Sequence, residues 1–402
     1  MSVSDKPRLA DRQPFFDDPP FVTGAWRDGD PVGHRAFVEL PELHLERGGV
    51  LPSVRVAFET WGRLNSTASN AILVEHALTG DSHVVGAAGP GHPSPGWWEG
   101  LVGPGRDVDT DDWFVVAANV IGGCQGSTGP ASLAPDGRPW GSRFPFVTIR
   151  DQVAAEVALA DALGIARWAQ VIGGSMGGMR VLEWAVSHPD RVAHAVILAS
   201  TAAATADQIA WAQPQLLAIR SDPDFAGGDY YERRRGPHVG MGIARRIAQA
   251  TYRSAAELDD RFGREPQSQE DPLGGGGRYA VESYLDYHSD KLGRRFDANS
   301  YLVLTEAMNS HDIGRDRGGV AAALARVSAH ILAVGVDSDR LYPVAQSAQI
   351  ARGVRQGEMR TIHSPCGHDG FLIEVDQVGA LVRDALRDVG GAQGRRDSAA
   401  IR

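Results

Sequence analysis

The segment Ile172–Gly178, IGGSMGG, places a single serine, Ser175, between two pairs of glycines. The residues Gly173–Gly177 match the pattern G-x-S-x-G, with an apolar run before them and a helix-like segment after them. A strand–turn–helix of this kind presents a serine hydroxyl as a nucleophile on a turn so tight that its neighbours must be small. A phosphate-binding loop is the alternative, but the lysine that such a loop requires is missing. The segment therefore predicts a nucleophilic serine.

A serine hydroxyl is a weak nucleophile until a base takes its proton, so the chain must also supply a histidine oriented by a carboxylate. In folds with such a serine turn, the partners follow in the order acid, then histidine. His368, on the glycine-flanked loop in CGHDGFLIE, is the predicted base, and His363 is its competitor. The acid comes from VGVDSDRLYP, at the end of the last apolar run, where Asp337 and Asp339 both remain open.

Acyl transfer from a serine also requires backbone donors for the oxyanion that forms at the attacked carbonyl. The first predicted donor is the N–H of Met176, the residue after the nucleophile. The second is expected in the loop HALTGDSH, through Leu78 or Thr79. His76 and His83 in this loop suggest a metal pair, but their spacing fits no common ligand pattern. We therefore predict that the site holds no metal.

The elements that must position these residues follow from the apolar pattern. Five apolar runs are too unbroken for an exposed sheet and are typical of parallel strands covered on both faces. Helix-like segments lie between several of them, including one that begins with a capping-box pattern at Thr148 and Asp151. This alternation predicts an α/β fold with a mainly parallel central sheet flanked by helices. The runs are Asn70–Leu78, Asp112–Gly122, Ala169–Gly174, His194–Ser200 and His330–Asp337.

The chain is predicted to divide into a core domain and an insertion. The apolar runs assign the core to residues 34–200 and 327–390, whereas residues 201–326 contain helix-like segments and no convincing strand. The inserted block is predicted to form a helical lid over the sheet. Residues 1–33, where Pro, Gly and Asp interrupt every apolar pair, are predicted to be a flexible arm, and 391–402 a disordered tail.

Composition argues against several classes of function. An apolar fraction of 43% and a charged fraction of 22% are ordinary for a globular protein with a large core. The net charge of −10, without any block of Lys and Arg, argues against nucleic-acid and anionic-membrane partners. Two cysteines are too few for a disulfide framework. The sequence has no signal-peptide core and no apolar run of about 18 residues, so we expect a cytoplasmic protein without membrane association.

Six segments together carry a resemblance to a known family: EHALTGDSHVVG, NVIGGCQGSTGP, FPFVTIRDQV, GGSMGGMRVLEWA, DSDRLYP and GHDGFLIE. From about residue 35 to residue 387, the chain resembles the homoserine O-acetyltransferases of methionine biosynthesis. The resemblance implies an α/β-hydrolase fold with a helical lid, usually assembled as a homodimer. By position, it also implies that Ser175 is the nucleophile, His368 the base and Asp339 the acid.

The same resemblance implies three residues that contact homoserine. They are Arg245 and Tyr252, in ARRIAQATY, and Asp369, next to the predicted base. A guanidinium can form paired hydrogen bonds with the substrate carboxylate, and a carboxylate can pair with its ammonium group. Because the family often has a different residue at the position of Arg246, the choice between the two adjacent arginines stays open.

The implied reaction is a ping-pong acetyl transfer that uses acetyl-CoA as co-substrate and needs no cofactor. Ser175 attacks the thioester, CoA leaves, and the hydroxyl of L-homoserine, deprotonated by His368, attacks the acetyl-serine. Three other functions remain open at this stage. An ester or lactone hydrolase would use the same triad, some family members use succinyl-CoA or acylate serine, and a non-catalytic binding protein is the third class.

Overall fold

The computed structural model describes residues 21–273 and 276–400, with side chains described as far as Arg387. Residues 1–20 of the predicted arm and 401–402 of the predicted tail therefore lie outside the described residues. The strands are β1 (Ala36–Leu40), β2 (Leu43–His44), β3 (Val50–Leu51), β4 (Val54–Trp61), β5 (Ala71–Glu75), β6 (Val102–Gly103), β7 (Val108–Asp109), β8 (Phe114–Ala118), β9 (Trp168–Gly174), β10 (Val192–Leu198), β11 (His330–Val336) and β12 (Gly357–Ile362).

The central sheet has eight strands in the order β1-β4-β8-β5-β9-β10-β11-β12. Strand β4 pairs antiparallel with β1 and β8, and the remaining neighbours pair parallel. Each of the five apolar runs contains a strand of this sheet (β5, β8, β9, β10 or β11), and every residue of β5 and β9 is buried. The predicted mainly parallel sheet is confirmed, and the burial of its central strands explains their unbroken apolar sequences.

Helices are distributed along the chain between and after the strands. They are α1 (Ile149–Ala162), α2 (Met176–Ser187), α3 (Ala206–Arg220), α4 (His238–Tyr252), α5 (Ala255–Phe262), α6 (Ala280–Gly293), α7 (Ala298–Asn309), α8 (Val320–Leu324), α9 (Val344–Gly353), α10 (Gly370–Ile373) and α11 (Val375–Ala400). The predicted capping box is present at the start of α1, where the side chain of Thr148 accepts from the Asp151 N–H and the Asp151 carboxylate accepts from the Thr148 N–H.

The sheet is covered on both faces. Helices α1 and α2 pack together over one face, where Val181 joins the core cluster that contains Leu73 and Val171. Helix α11 covers the other face, where Val382 packs in the cluster that contains Ile172. Adjacent residues of β9 thus point to opposite helical layers, as the alternation of side chains along a strand requires. The structure confirms the α/β fold with helices flanking the sheet.

The insertion between β10 and β11 carries helices α3 to α8. Among its described residues, within 201–326, β pairing is limited to two isolated bridges. Helix α4 packs against α3 and α6, and it also contacts the short 3-10 turn Gly367–Asp369 in the core domain. Gln208 of α3 donates to the carbonyl oxygen of Leu341 at 3.0 Å. The insertion therefore lies against the loops that follow β11 and β12.

The described part of the predicted arm is attached to the rest of the molecule. The N–H of Gly24 donates to the carbonyl of Phe296 at 3.2 Å, and the N–H of Trp26 donates to the carbonyl of Cys124 at 2.9 Å. A side chain at residue 24 would begin only 2.5 Å from the backbone nitrogen of Arg295, so glycine permits this close approach. Hydrogen bonds to distant segments thus satisfy backbone groups of residues 21–33, whose sequence has no local pattern. The flexibility of the arm stays a prediction.

The described residues of the predicted tail continue the last helix, and their disorder stays a prediction. Helix α11 runs from Val375 to Ala400 and so includes most of residues 391–402. Its first half is anchored by apolar side chains at helical spacing, including Val378 and Val382. Adding residues to an existing helix costs much less than nucleating one, so an anchored helix can continue into a sequence with no apolar face of its own. Among the described residues, none of the helices combines the length and the hydropathy needed to span a lipid bilayer.

Candidate active site

Ser175 lies on the turn between β9 and α2, with φ of 56° and ψ of −122°. A positive φ is uncommon for any residue other than glycine, and such conformations persist where the surrounding structure enforces them. Here the N–H of Ser175 donates to the carbonyl of Leu198 at 3.0 Å, and its carbonyl accepts from the Ser200 hydroxyl at 2.8 Å. The turn is therefore held from the neighbouring strand β10, as the predicted serine turn requires.

The glycines around Ser175 permit close packing on both sides of the turn. A Cβ atom at Gly177 would lie 2.2 Å from the carbonyl oxygen of Glu75, and one at Gly174 would lie 2.3 Å from the ring of Phe371. Contacts this short would displace either the backbone of β5 or a buried aromatic ring. The sequence GGSMGG is therefore explained by the space available around the turn.

His368 and Asp339 form a buried pair at the same edge of the sheet. Nδ1 of His368 lies 2.6 Å from Oδ2 of Asp339, while Oδ1 of Asp339 accepts from the backbone N–H groups of Leu341 and Tyr342. Burial lowers the pKa of His368, but the charge of Asp339 and its hydrogen bond outweigh burial, so the pKa is raised overall. The carboxylate is thus placed to orient the imidazole and to stabilise its protonated form.

The two competing residues are paired with each other instead. Nδ1 of His363 lies 2.8 Å from Oδ2 of Asp337, and the His363 side chain is 79% exposed. The other oxygen of Asp337 accepts from the backbone N–H of Ser364. An exposed pair of this kind has neither the burial nor the contact with Ser175 that nucleophilic catalysis needs. Of the two choices that the residue order left open, the structure favours Asp339 and His368.

Tyr342 packs on the base and lines the cavity of Ser175, and it is a site residue that the sequence patterns do not identify. Its ring stacks on His368 with the centroids 4.8 Å apart and the planes at 25°. Tyr342 and Ser175 line the same cavity, and the Ser175 side chain partly offsets the rise in the Tyr342 pKa caused by burial. Nε2 of His368 is buried and has no hydrogen-bond partner among the described residues. Catalytic hydrogen bonds are often formed only when substrate is bound.

The predicted oxyanion donors lie beside Ser175. Met176 is the first residue of α2, and amide groups in the first turn of a helix have no partner within the helix. Leu78 lines the same small cavity as Ser175. In the described part of the chain, no hydrogen bond uses the N–H of Leu78 or Thr79. These amides are therefore available to an oxygen bound next to the nucleophile.

Arg245 and Arg246 have different environments. Nε and Nη1 of Arg245 are buried without a hydrogen-bond partner in the described chain, and its Cζ lies 5.5 Å from the centroid of the Tyr252 ring. Arg246 instead pairs with Asp286 at 2.6 Å and donates to the Ser289 hydroxyl at 2.8 Å. A buried cation without an anion is costly, so Arg245 is the member of the pair that is suited to a ligand carboxylate.

Tyr252 lines the cavity of Ser175 and is influenced by two opposite charges. Burial raises its pKa, the positive charge of Arg245 lowers it, and the negative charge of Asp369 raises it. The Tyr252 ring is also 5.7 Å from that of His368. Asp369 accepts from Arg253 at 3.3 Å, a contact that the sequence patterns do not indicate. A cation and an anion near one aromatic ring suit a zwitterionic ligand.

One group among the described residues has the composition of a metal site. Ligand atoms of Glu59, His83 and His92 lie within 4.8 Å of one another. However, the two imidazole rings are stacked at 3.9 Å and 14°, so their in-plane lone pairs do not converge. Nδ1 of His83 contacts Glu59 and Nε2 contacts the carbonyl of Gly86. Both nitrogens of His83 therefore face hydrogen-bond acceptors. An imidazolium, which donates from both nitrogens, fits this arrangement, whereas a metal ligand needs a nitrogen with a free lone pair. The absence of a metal from the active site stays a prediction.

A larger cleft, of about 420 Å³, lies elsewhere on the surface and is lined by Trp26, Arg55 and Trp140 among others. Its lining residues include no histidine or cysteine. The cavity at Ser175 is much smaller, about 50 Å³, but its lining includes the predicted nucleophile and Tyr342, which stacks on the buried base. Chemistry therefore identifies the smaller cavity as the candidate active site.

Comparison with known proteins identifies the fold and the family. The family model described as "alpha/beta hydrolase fold" matches residues 70–375. The homoserine O-acetyltransferase of Thermobifida fusca (strain YX) is 65% identical over 368 residues, which cover 91% of this chain and 97% of that protein. The chain belongs to the homoserine O-acetyltransferase family. The α/β-hydrolase fold expected from the resemblance is thereby confirmed.

Solved structures with the same fold include members with two activities. The homoserine O-acetyltransferase from Bacillus anthracis superimposes with a TM-score of 0.80 at 27% identity, over 88% of this chain and 97% of that chain. Esterase E22 superimposes with a TM-score of 0.80 at 26% identity, over 88% of this chain and 99% of that chain. The overall fold is thus similar to that of both a transferase and an esterase, and the site residues must distinguish the two.

Proposed function

We propose that this protein transfers an acetyl group from acetyl-CoA to the hydroxyl of L-homoserine, giving O-acetyl-L-homoserine and CoA in methionine biosynthesis. The observation that carries this proposal is the guanidinium of Arg245, whose buried Nε and Nη1 have no partner in the described chain. It lies over the ring of Tyr252, which lines the same cavity as Ser175. The high identity to named homoserine O-acetyltransferases over nine-tenths of the chain supports it. A simple ester hydrolase has no need for such a cation.

In the first half-reaction Ser175 accepts the acetyl group. His368 removes the hydroxyl proton, and the oxygen attacks the thioester carbonyl to form a tetrahedral oxyanion. The N–H groups of Met176 and of Leu78 or Thr79 stabilise this oxyanion. The carbon–sulfur bond then breaks, the proton on His368 passes to the thiolate, and CoA leaves. The product of this half-reaction is an acetyl ester on Ser175.

In the second half-reaction homoserine takes the place of CoA. His368 removes the proton of the homoserine hydroxyl, which attacks the acetyl-serine carbonyl. The second tetrahedral intermediate breaks down by release of the Ser175 oxygen, which recovers its proton from His368. Each half-reaction therefore returns the base to its neutral form, and Asp339 stabilises the imidazolium in between.

The acceptor is recognised by its charges. The carboxylate of homoserine pairs with Arg245, and its ammonium group pairs with Asp369, whose charge also acts on Tyr252. Such charge-assisted hydrogen bonds orient the acceptor as well as bind it. Orientation matters because water competes for the acetyl-serine, and an acceptor held next to the ester reacts ahead of it.

We also propose that the protein acts as a homodimer in the cytoplasm. Helices α3 and α4 expose several large apolar side chains, and contiguous exposed apolar surface marks interaction sites. These side chains are Ile209, Trp211, Leu217, Val239 and Ile243. Both cysteines are free, which agrees with a reducing compartment.

Mass spectrometry of the products tests the proposed function. Homoserine is incubated with acetyl-CoA or succinyl-CoA, and serine with acetyl-CoA, in separate reactions. We expect rapid formation of O-acetylhomoserine only, and no product from the Ser175→Ala variant. O-succinylhomoserine as the main product would contradict acetyl-CoA as the donor. O-acetylserine as the main product would contradict homoserine as the acceptor. Hydrolysis of acetyl-CoA at the same rate with and without homoserine would indicate an ester hydrolase instead.

A further inference from the structure

His76 is a buried histidine that the proposed mechanism does not use. It follows β5 at the start of the loop that carries Leu78, and its residue is 3% exposed. Its Nε2 lies 3.1 Å from the backbone nitrogen of Val120, whose N–H can only donate. Nε2 must therefore be unprotonated, and the proton must be on Nδ1. Nδ1–H then donates to the carbonyl of Ala77 at 2.8 Å.

The surroundings of His76 keep it in this one neutral form. Burial is the largest cause of a pKa lowered to about 3, and the positive charges of Arg180 and Arg295 act in the same direction. The hydrogen bond to Ala77 opposes them only in part. His76 therefore stays neutral throughout the range in which His368 titrates, and its hydrogen-bond pattern is constant.

The bond from His76 fixes the orientation of a predicted oxyanion donor. The carbonyl of Ala77 and the N–H of Leu78 belong to one peptide group, and in a trans peptide they point in opposite directions. The carbonyl of Ala77 accepts from both Nδ1 of His76 and the N–H of Gly80, the latter at 2.9 Å. With the carbonyl held by two donors, the N–H of Leu78 must face away from the His76 ring.

The neighbouring carbonyls of the loop are held as well. The carbonyl of His76 accepts from Arg180 at 2.6 Å, and that of Thr79 accepts from Arg295 at 2.7 Å. Arg180 is completely buried under the serine turn, whereas Arg295 comes from the insertion. The loop thus has its carbonyls bound to protein donors while the N–H of Leu78 has no partner in the described chain.

We propose that His76 is a positioning residue for the oxyanion hole. Its neutral imidazole, fixed by the N–H of Val120, holds the Ala77 carbonyl so that the N–H of Leu78 points toward the carbonyl that Ser175 attacks. This inference rests on the proposed function, because it presupposes that Ser175 accepts the acetyl group. Loss of the His76 bond lowers the rate of acylation without removing any group that contacts the substrate.

Two substitutions separate the two hydrogen bonds of His76. In His76→Asn the side-chain amide occupies the region of Nδ1 and can donate to Ala77. In His76→Gln the amide reaches the region of Nε2, where its oxygen can accept from Val120 but its NH₂ group is too far from Ala77.

Acylation is measured as the pre-steady-state burst of p-nitrophenol from p-nitrophenyl acetate. Because complete loss of an oxyanion donor costs about 10²–10³-fold, we expect a loss of about 10–100-fold in His76→Gln and less than about 5-fold in His76→Asn.

A second measurement reports the oxyanion directly. Replacing the attacked carbonyl oxygen of the ester by sulfur weakens hydrogen bonding in the oxyanion hole, so the wild type should strongly prefer the oxygen ester. We expect this preference to shrink in His76→Gln and to persist in His76→Asn. A purely structural role would lower both rates equally and leave their ratio unchanged, which would overturn the proposal.

His311 provides the matched control. It is also buried, 4% exposed, and its Nε2 hydrogen-bonds to the carbonyl of Thr201 at 3.1 Å. His311→Gln should lower the midpoint of thermal unfolding to a similar extent as His76→Gln but leave the oxygen-to-sulfur preference unchanged.

Equal burst rates in His76→Gln and His76→Asn would overturn the proposal. Should His76→Gln not fold, a loss of about 10-fold or more in His76→Asn would also overturn it. Absence of any burst in the wild type would refute the proposed function instead.

Discussion

At the scale of single residues, this site shows how environment separates chemically identical groups. Two Asp–His pairs follow β11 and β12, yet one is buried and the other is exposed. The histidine of the buried pair stacks on Tyr342, which lines the cavity of Ser175. In the buried pair, Asp339 raises the pKa of His368 above its ordinary value of 6.5 in spite of burial. Because a general base must be neutral, acylation should decline as the pH falls through this raised pKa.

The first prediction distinguishes the two aspartates. Asp339→Asn should lower kcat by about 10⁴-fold, because an amide cannot hold the imidazole in the required tautomer or stabilise its cation. Asp337→Asn is the control: it disrupts only the exposed pair, so kcat should change by less than about 3-fold, as for a surface ion pair worth under about 1 kcal/mol. Steady-state kinetics with acetyl-CoA and homoserine measure both. A large loss of kcat in Asp337→Asn with little change in Asp339→Asn would show that Asp337 is the acid of the triad.

The second prediction distinguishes the two arginines. Arg245→Ala should lower kcat/KM for homoserine by about 10- to 150-fold, since a hydrogen bond to a charged group contributes about 1.5–3 kcal/mol. Release of p-nitrophenol from p-nitrophenyl acetate should fall much less, because acylation of Ser175 involves no carboxylate. Arg246→Ala, which breaks the pair with Asp286, should leave both rates nearly unchanged. If both activities fell equally in Arg245→Ala, substrate binding would not be its role.

At the scale of secondary-structure elements, the serine turn depends on how closely α2 approaches β5. Alanine is a better helix former than glycine by about 1 kcal/mol, so an unhindered Gly→Ala change within a helix should stabilise the protein. At Gly177, however, the added Cβ would lie 2.2 Å from the carbonyl oxygen of Glu75. Backbone atoms cannot move aside as a flexible side chain can, so the clash should outweigh the helix preference.

The third prediction follows from this contact. Gly177→Ala should lower the free energy of unfolding by about 1–3 kcal/mol, the usual cost of overpacking, and reduce acylation by displacing Ser175 and Met176. Gly293→Ala, at the end of α6, is the control, because a Cβ there has no atom within 4 Å. It should be neutral or stabilising. Urea unfolding measures both variants, and equal stability of the two would show that the turn tolerates a side chain.

At the scale of the whole molecule, the insertion has two surfaces with different roles. One lies against the loops that follow β11 and β12, where Ser254 donates to the carbonyl of Pro365 and Arg253 pairs with Asp369. The other carries the exposed apolar side chains of α3 and α4. The same helices that enclose the site therefore also present a surface suited to a second subunit, which would couple the position of Arg245 on α4 to assembly.

The fourth prediction concerns this surface. Leu217, which is 53% exposed on α3, is replaced by Glu, and light scattering measures the molar mass. We expect a dimer for the wild type and a shift toward monomer for Leu217→Glu, because a charge buried at an interface is costly. Leu133→Glu, 55% exposed and outside the insertion, should remain dimeric. A monomeric wild type, or dissociation by Leu133→Glu alone, would contradict the proposed interface.

The sequence by itself determined the features that depend on local patterns. Unbroken apolar runs identified the strands of the parallel sheet, and the spacing of Gly173, Ser175 and Gly177 identified the serine turn. These signals are readable because a strand covered on both faces, or a turn without room for side chains, restricts residue type at each position. The order serine, acid, histidine then narrowed the partners to two aspartates and two histidines.

Only the tertiary structure decided how distant residues pair. Asp339 with His368, Arg246 with Asp286, and the contact of Tyr342 with the base each join residues whose separation in the chain carries no periodic signal. The attachment of residues 21–33 likewise depends on backbone groups of segments about a hundred residues or more away. Residue type limits the chemistry that a side chain can perform. Burial and contact partners decide which of these roles it takes, and the packing of the whole chain sets both.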